Sequence, residues 1–431
     1  MECGLPARSI GPFLPVSGQK AAIFRWMLGA LRGKVGSHCF GFISRFFSWV
    51  WMRRFFLPFL FLFFLALPAG ANDSITLGIL AFDAEPPGVK GPSPVDEGVL
   101  GGRLGVADNN TTGRFTKQSF TLLEVKIARD GDPTLAVRQL QAQGASFIVS
   151  LLDATTLLRA ADGGAFFLNA AAADERLRNE DCRPNILHIL PDRAMLVDAL
   201  AQYLMKKRWN KWLLATGKGA GDAAFTQAIR RASRRFGAQI VSERVWTFDR
   251  DSKPESEVPV FTQGGEYDVV IVADEANAFG DLLPYRLWLP RPVVGTQGLV
   301  AKGWDASAED WGASQLQERF LRLAKRSMTS IDYAAWLSVR AIGEAATRAK
   351  SADPQLLMST LLAPEFSVAG FKGRQLSFRD WDRQLRQPVF LAAANGVIAL
   401  SPQDGFMHPL TELDTLGTDR PDSTCRKAAK P

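Results

Sequence analysis

Polar residues that directly follow apolar runs could do chemistry in this chain, because in doubly wound parallel sheets a ligand sits beyond the carboxyl ends of the strands. Phe82 and Asp83 follow the run Ile75–Ala81, Asp153, Ala154, Thr155 and Thr156 follow Ser146–Leu151, and Asn169 follows Ala165–Leu168. Asp274 and Glu275 follow Asp268–Ala273, and Thr296 and Gln297 follow Pro292–Gly295. Hydroxyls, amides and carboxylates in such places can hydrogen-bond a small polar ligand. The same residue types cap helix N-termini, so every position has a purely structural alternative. Asp153 with Asp274 and Glu275 could be read as an acid–base couple, yet paired acids at strand ends serve equally well in holding a polar ligand. The expectation is a binding protein, not an enzyme.

Other chemistry finds little footing. Gly217–Asp222 (GKGAGD) lies between a strand and a helix, the setting of a phosphate loop, but matches neither the Walker spacing nor the dinucleotide fingerprint; a tight strand-to-helix turn is expected. His188 and His408 have no carboxylate or cysteine cluster at metal-ligand spacing, so no metal is expected. The sequence contains no G-x-S-x-G elbow, and no cofactor is expected. Arg230, Arg231, Arg234 and Arg235 lie opposite Ala228, Ile229, Ala232 and Phe236 on one helix and read as a solvated face. Trp304, Trp311, Trp336 and Trp381 read as core packing, with a hinge or cleft lining as the alternative.

The elements that would position these residues alternate. Short runs rich in Val, Ile, Leu and Phe take turns with amphipathic stretches, the pattern of a parallel sheet covered on both faces. Further strands are expected at Phe120–Lys126, Trp212–Thr216, Ala238–Val245, Val389–Ala392 and Val397–Leu400. Helices are expected after the Asp132-Pro133 cap, from near Asp192, and over Ala223–Phe236, Ser314–Arg326 and Asp332–Arg348. The fold class is therefore α/β, with two doubly wound units.

At the N-terminal side, Arg53 and Arg54 precede the apolar run Phe55–Leu67 and the small residues Ala69-Gly70-Ala71, which predicts a signal peptide over 52–71 cleaved after Ala71. Residues 1–51 lack any periodicity and read as a mis-assigned upstream extension. Eight of the 51 Lys/Arg and one of the 44 Asp/Glu fall in residues 1–71, so the formal +7 shrinks to 43 of each sign after cleavage. A nucleic-acid partner therefore has no electrostatic support. Of the four cysteines, Cys182 and Cys425 remain, and a pair in an oxidising compartment predicts a disulfide. The residue directly after the expected cut is Asn72, not a cysteine that could carry a lipid.

Several stretches resemble the type I periplasmic solute-binding proteins of ABC transporters, the branched-chain amino-acid binding group in particular. They are Ile75–Ala81, the Gly105–Asn110 helix end, Asp130–Pro133, Ile148–Thr156 and Asp332–Trp336. Trp311–Gln317, Gly370–Gly373, Phe378–Trp381, Gln384–Pro388 and Leu413–Gly417 are similar to a divergent branch associated with PQQ-dependent alcohol dehydrogenase systems. The resemblance implies two lobes around a hinge cleft: lobe 1 over 72–190 and 299–385, lobe 2 over 191–298, then C-terminal strands and a tail over 386–431. It also implies a monomer in the periplasm that binds a small molecule and partners an ABC permease. Two departures bear on the ligand. The loop that holds a ligand carboxylate in the amino-acid binders presents Asp153, which would repel one, and the acid that holds the ligand ammonium would fall near Thr296-Gln297, where there is none. A neutral or hydroxylated molecule tied to alcohol oxidation fits better than an α-amino acid, and the rival is a periplasmic scaffold that has lost its ligand.

Overall fold

The structure is a computed structural model, and it describes residues 73–83, 94–247, 254–394 and 396–425. The expected leader, its cleavage site and the upstream extension lie outside the described residues. Aspartate caps recur at the helix starts, and they explain much of the local order. Asp132 accepts from the Thr134 amide ahead of Pro133, Asp153 from Thr156, Asp192 from Met195 and Asp353 from Leu356. Each satisfies one of the amides that a first helical turn leaves without a partner.

The first sheet contains β1 (Asp73–Phe82), β2 (Gln118–Ile127), β3 (Phe147–Leu151), β4 (Phe166–Asn169) and β5 (Ile186–His188). All are parallel, in the order β2-β1-β3-β4-β5. Alternate residues of the inner strands serve opposite faces. Leu77, Ile79, Val149 and Leu168 pack toward one hydrophobic cluster, and Leu80, Ile148 and Phe167 toward another. Helix α1 (Val99–Thr116) covers the first face; α2 (Pro133–Ala142) and α3 (Ala154–Ala161) cover the second.

The second lobe opens with α4 (Arg193–Lys206), β6 (Lys211–Thr216), α5 (Ala220–Phe236), β7 (Gln239–Val245), α6 (Pro254–Phe261), β8 (Val269–Ala273), β9 (Val293–Gly295) and β10 (Leu299–Lys302). The chain then returns to the first lobe through α7 (Ala313–Ala324), α8 (Ser330–Ala349) and α9 (Pro354–Leu362), followed by the small antiparallel sheet β11 (Val368–Ala369), β12 (Gln375–Phe378) and β13 (Leu385–Arg386). It ends on the second lobe with β14 (Val389–Ala393) and β15 (Gly396–Ser401), giving the sheet order β15-β14-β10-β9-β8-β6-β7. β10 thus belongs to the second sheet, not to the returning segment that was expected to begin at residue 299. It pairs in parallel with β9 and antiparallel with β14.

Gly105–Asn110 is not a helix end. α1 runs through it to Thr116 because those residues are the contact surface with α8. A Cβ on Gly105 would stand 2.9 Å from the Trp336 carbonyl oxygen, Asp108 accepts from Trp336 Nε1 at 2.9 Å, and Asn109 Nδ2 donates to the Val339 carbonyl at 2.8 Å. Trp304 and Trp336 are core residues, Trp304 stacked on Tyr333 at 4.6 Å, whereas Trp311 is 56 % exposed.

Candidate functional site

The loops past β4 and β8, one strand from each sheet, meet at one guanidinium. Arg193 is the first residue of α4, and its Nε and Nη2 donate to both carboxylate oxygens of Glu275, just past β8, at 2.7 and 2.9 Å. Its Nη1 stands 3.6 Å from Asp174, on the loop past β4, and its amide donates to the Ala173 carbonyl. One side chain therefore spans both rims of the interlobe cleft. Sequence reading missed it, although a cation in the first turn opposes the helix dipole and is out of place there without a nearby anion.

The expected site residues fall into two groups. Asn169 is fully buried: its Oδ1 accepts from the Ala171 and Ala172 amides, which turns its Nδ2 toward the Ala172 carbonyl and His188 Nδ1. Asp274 is 1 % exposed and accepts from the amides of Ala278, Phe279 and Gly280 at 2.7–2.9 Å, so its charge organises the loop after β8. Thr296 Oγ1 accepts from the Asp274 amide, and Gln297 Nε2 donates to the Asp274 carbonyl and to Asn277. Ala154 and Thr156 are buried in the first turn of α3. These side chains bond to the loops and the helix turn that follow their strands.

Asp83, Asp153 and Thr155 are exposed at the ends of β1 and β3, and Phe82 lies under Arg129, whose guanidinium carbon is 4.6 Å from the ring centre. Asp153 spends its charge on the first turn of α3, accepting from the Thr156 amide at 2.9 Å. Arg176, from the loop past β4, donates to Thr155 Oγ1 at 2.9 Å and pairs with Asp181 at 2.7 Å. The repulsion of an anionic ligand expected from Asp153 is thereby reduced, because the helix N-terminus it caps stands beside it and Arg176 reaches Thr155, two residues on. The Thr155 hydroxyl accepts from Arg176 and can itself donate its proton.

Gly217–Asp222 forms the β6–α5 turn. Asp222 accepts from the amides of Gly219 and Glu275, and a Cβ on Gly221 would stand 2.2 Å from Glu275 Oε2, so glycine there admits the carboxylate that grips Arg193. Arg231 and Arg235 depart from the expected solvated face, because both reach the buried Asp198 of α4 at 2.7 and 2.6 Å. Burial and the Arg178 charge push the His188 imidazole well below its usual range, which keeps it neutral. Among the described residues, no group of three or more His, Cys, Asp and Glu could hold a metal ion.

Glu175, next to Asp174, faces the second lobe. Burial pushes its carboxyl up to about 7, with Asp192 and Asp198 adding to the rise and Arg231 and Arg193 opposing it. The unfolded chain releases this proton near the ordinary glutamate value, so the stability Glu175 contributes is complete below about 4.5 and is lost as pH rises through about 7. Glu175→Gln should therefore raise the thermal midpoint relative to wild type above pH 7, with the difference vanishing toward pH 4.5. A difference independent of pH would show that the carboxyl titrates normally.

No protein-family model matches the chain, and no curated protein matches it. Solved structures do. A branched-chain amino-acid ABC transporter periplasmic ligand-binding protein from Burkholderia xenovorans superposes with a TM-score of 0.67 at 17% identity, over 82% of this chain and 100% of that one. The closed leucine-, isoleucine-, valine-, threonine- and alanine-binding protein from Brucella ovis gives 0.63 at 14%, over 79% and 98%. An ABC transporter solute-binding protein from R. palustris in complex with benzoate gives 0.59 at 13%, over 82% and 99%. The chain has the type I periplasmic binding-protein fold. These three neighbours are binding proteins, two of them of ABC transporters.

Proposed function

We propose that this chain is the exported, periplasmic substrate-binding component of an ABC transporter, a monomer that closes on a small polar molecule and presents it to a permease. The observation that carries the proposal is Arg193 joining the loop past β4 of the first lobe to the loop past β8 of the second. Export after cleavage behind Ala71 belongs to the same proposal. The stretches similar to the alcohol-oxidation branch support a narrower version, in which the ligand is an alcohol or an oxidation product linked to PQQ-dependent dehydrogenases. Thr155 and Arg176 are the groups on the first rim suited to an oxygen acceptor, and Asp83 and Glu275 complete the polar lining.

Calorimetry of the purified chain against alcohols, aldehydes and short carboxylic acids should give saturable heat. Arg176→Ala should weaken that binding roughly tenfold to a hundredfold, the loss of a charge-assisted hydrogen bond of about 1.5–3 kcal/mol. Absence of heat with every class would remove the receptor role. A second reading, a periplasmic accessory protein without a transport ligand, draws on the internal commitment of Asn169, Asp274 and Gln297. It gains ground if Arg176→Ala and Thr155→Ala leave the cellular phenotype unchanged.

A further inference from the structure

Among the described residues, three chain crossings join the lobes: between β5 and α4, between β10 and Trp304, and between β13 and β14. The first and third are bonded to each other. Buried Arg178 donates to Gln384 Oε1 at 2.9 Å and to the Leu190 carbonyl at 2.8 Å, Gln384 Nε2 donates to the His188 carbonyl, and Gln387 Nε2 to the Ile189 carbonyl. Past β15 the tail runs along the second lobe, where Gln202 donates to Thr415 and the Gly417 amide donates to Asp198. It then passes over the hinge. Arg379, between β12 and β13, donates to Asp414 at 2.8 Å and to the Leu416 carbonyl at 2.6 Å, and Arg386 donates to Asp414 at 2.8 Å. Trp381 lies among the guanidinium groups of Arg379, Arg386 and Arg420, at 4.8–5.2 Å. Finally the Thr424 amide donates to Asn179, and Cys425 is joined to Cys182, on the loop before β5, in a disulfide that is itself buried.

We propose that the C-terminal tail is a strap: a fourth interlobe connection, closed covalently at Cys182, that holds the hinge to a narrow range of opening. The physical reason is its length. Cys425, bonded to the first lobe, lies eight positions beyond Gly417, held by the second. Fully extended that stretch reaches at most about 28 Å, and the contacts of Thr418 and Arg420 at the hinge remove most of that slack. Hinge closure in two-lobed binders turns on a few connecting residues, and a short tether beside them limits how far the lobes part. This rests on the hinge alone and holds whatever the cleft binds.

Small-angle scattering of ligand-free protein tests it, comparing the oxidised wild type, the wild type reduced by a thiol, and Cys182→Ser/Cys425→Ser. The expected result is a larger radius of gyration and a longer maximum dimension in the double variant, with near-UV circular dichroism unchanged; the reduced wild type should match it wherever thiol titration shows the bond open. Superimposable curves for the oxidised protein and the folded variant overturn the strap. Loss of the near-UV signal in the variant also overturns it, because the bond would then hold the fold and not the hinge.

Discussion

Arg379→Met should lower the unfolding free energy by about 3–5 kcal/mol, the cost of removing one partner from a buried ionic network. The guanidinium is 1 % exposed and pairs with Asp414 at 2.8 Å and Asp382 at 3.4 Å. Methionine approximates its volume but leaves the Asp382 carboxylate without that ion pair and the Leu416 carbonyl without its donor, in a region where water cannot replace them. Arg386 still holds Asp414, so Arg386→Met, at a more exposed site, should cost less than Arg379→Met. Urea unfolding followed by tryptophan fluorescence checks both. A loss below about 1 kcal/mol for Arg379→Met, the scale of an exposed pair, would mean that the network is solvated in solution.

The second large effect is expected at Gly101. A Cβ there would stand 2.0 Å from the Asp332 carbonyl oxygen, and one on Gly105, a helical turn later, 2.8 Å from Val339 Cβ. The two glycines form a groove in α1 into which the backbone of α8 settles, and a carbonyl in a helix cannot rotate away as a side chain can. Gly101→Ala should destabilise by about 3 kcal/mol, the upper range for overpacking, despite the gain of up to about 1 kcal/mol that alanine brings to a helix. Gly102→Ala is the control. Its Cβ would meet side-chain methyls of Ile79 and Leu122 at 3.2–3.3 Å, which can yield, so its change should be far smaller. Equal effects at 101 and 102 would refute the packing argument.

The layered α/β architecture was legible because its signals are local. Buried parallel strands read as apolar runs, and Asp132-Pro133 and Asp192 announce their helices by residue type. The shorter elements were not legible. β5 has three residues and β13 two, too few for any period, and α3 directly follows β3, so the residues that cap it could equally be read as ligand contacts. Thr155 and Glu275 keep solvent-accessible side chains; Asn169 and Asp274 do not, because their side chains turn inward to satisfy loop amides, and nothing in residue type distinguishes the two outcomes.

By itself the sequence determined the α/β class, the order of the longer elements and the cancelling charge beyond residue 71, since these follow from composition, periodicity and capping chemistry within a few residues. Tertiary structure decided which residues share a site. Arg193 meets Asp174 and Glu275 across both sheets, Gly105–Asn110 meets Asp332–Trp336, and Phe378–Trp381, Gln384–Pro388 and Leu413–Gly417 gather at the hinge under the strap. Each of these groups is assembled by chain crossings between distant segments, and hydrogen bonds at that range leave no spacing in the sequence from which they could be read.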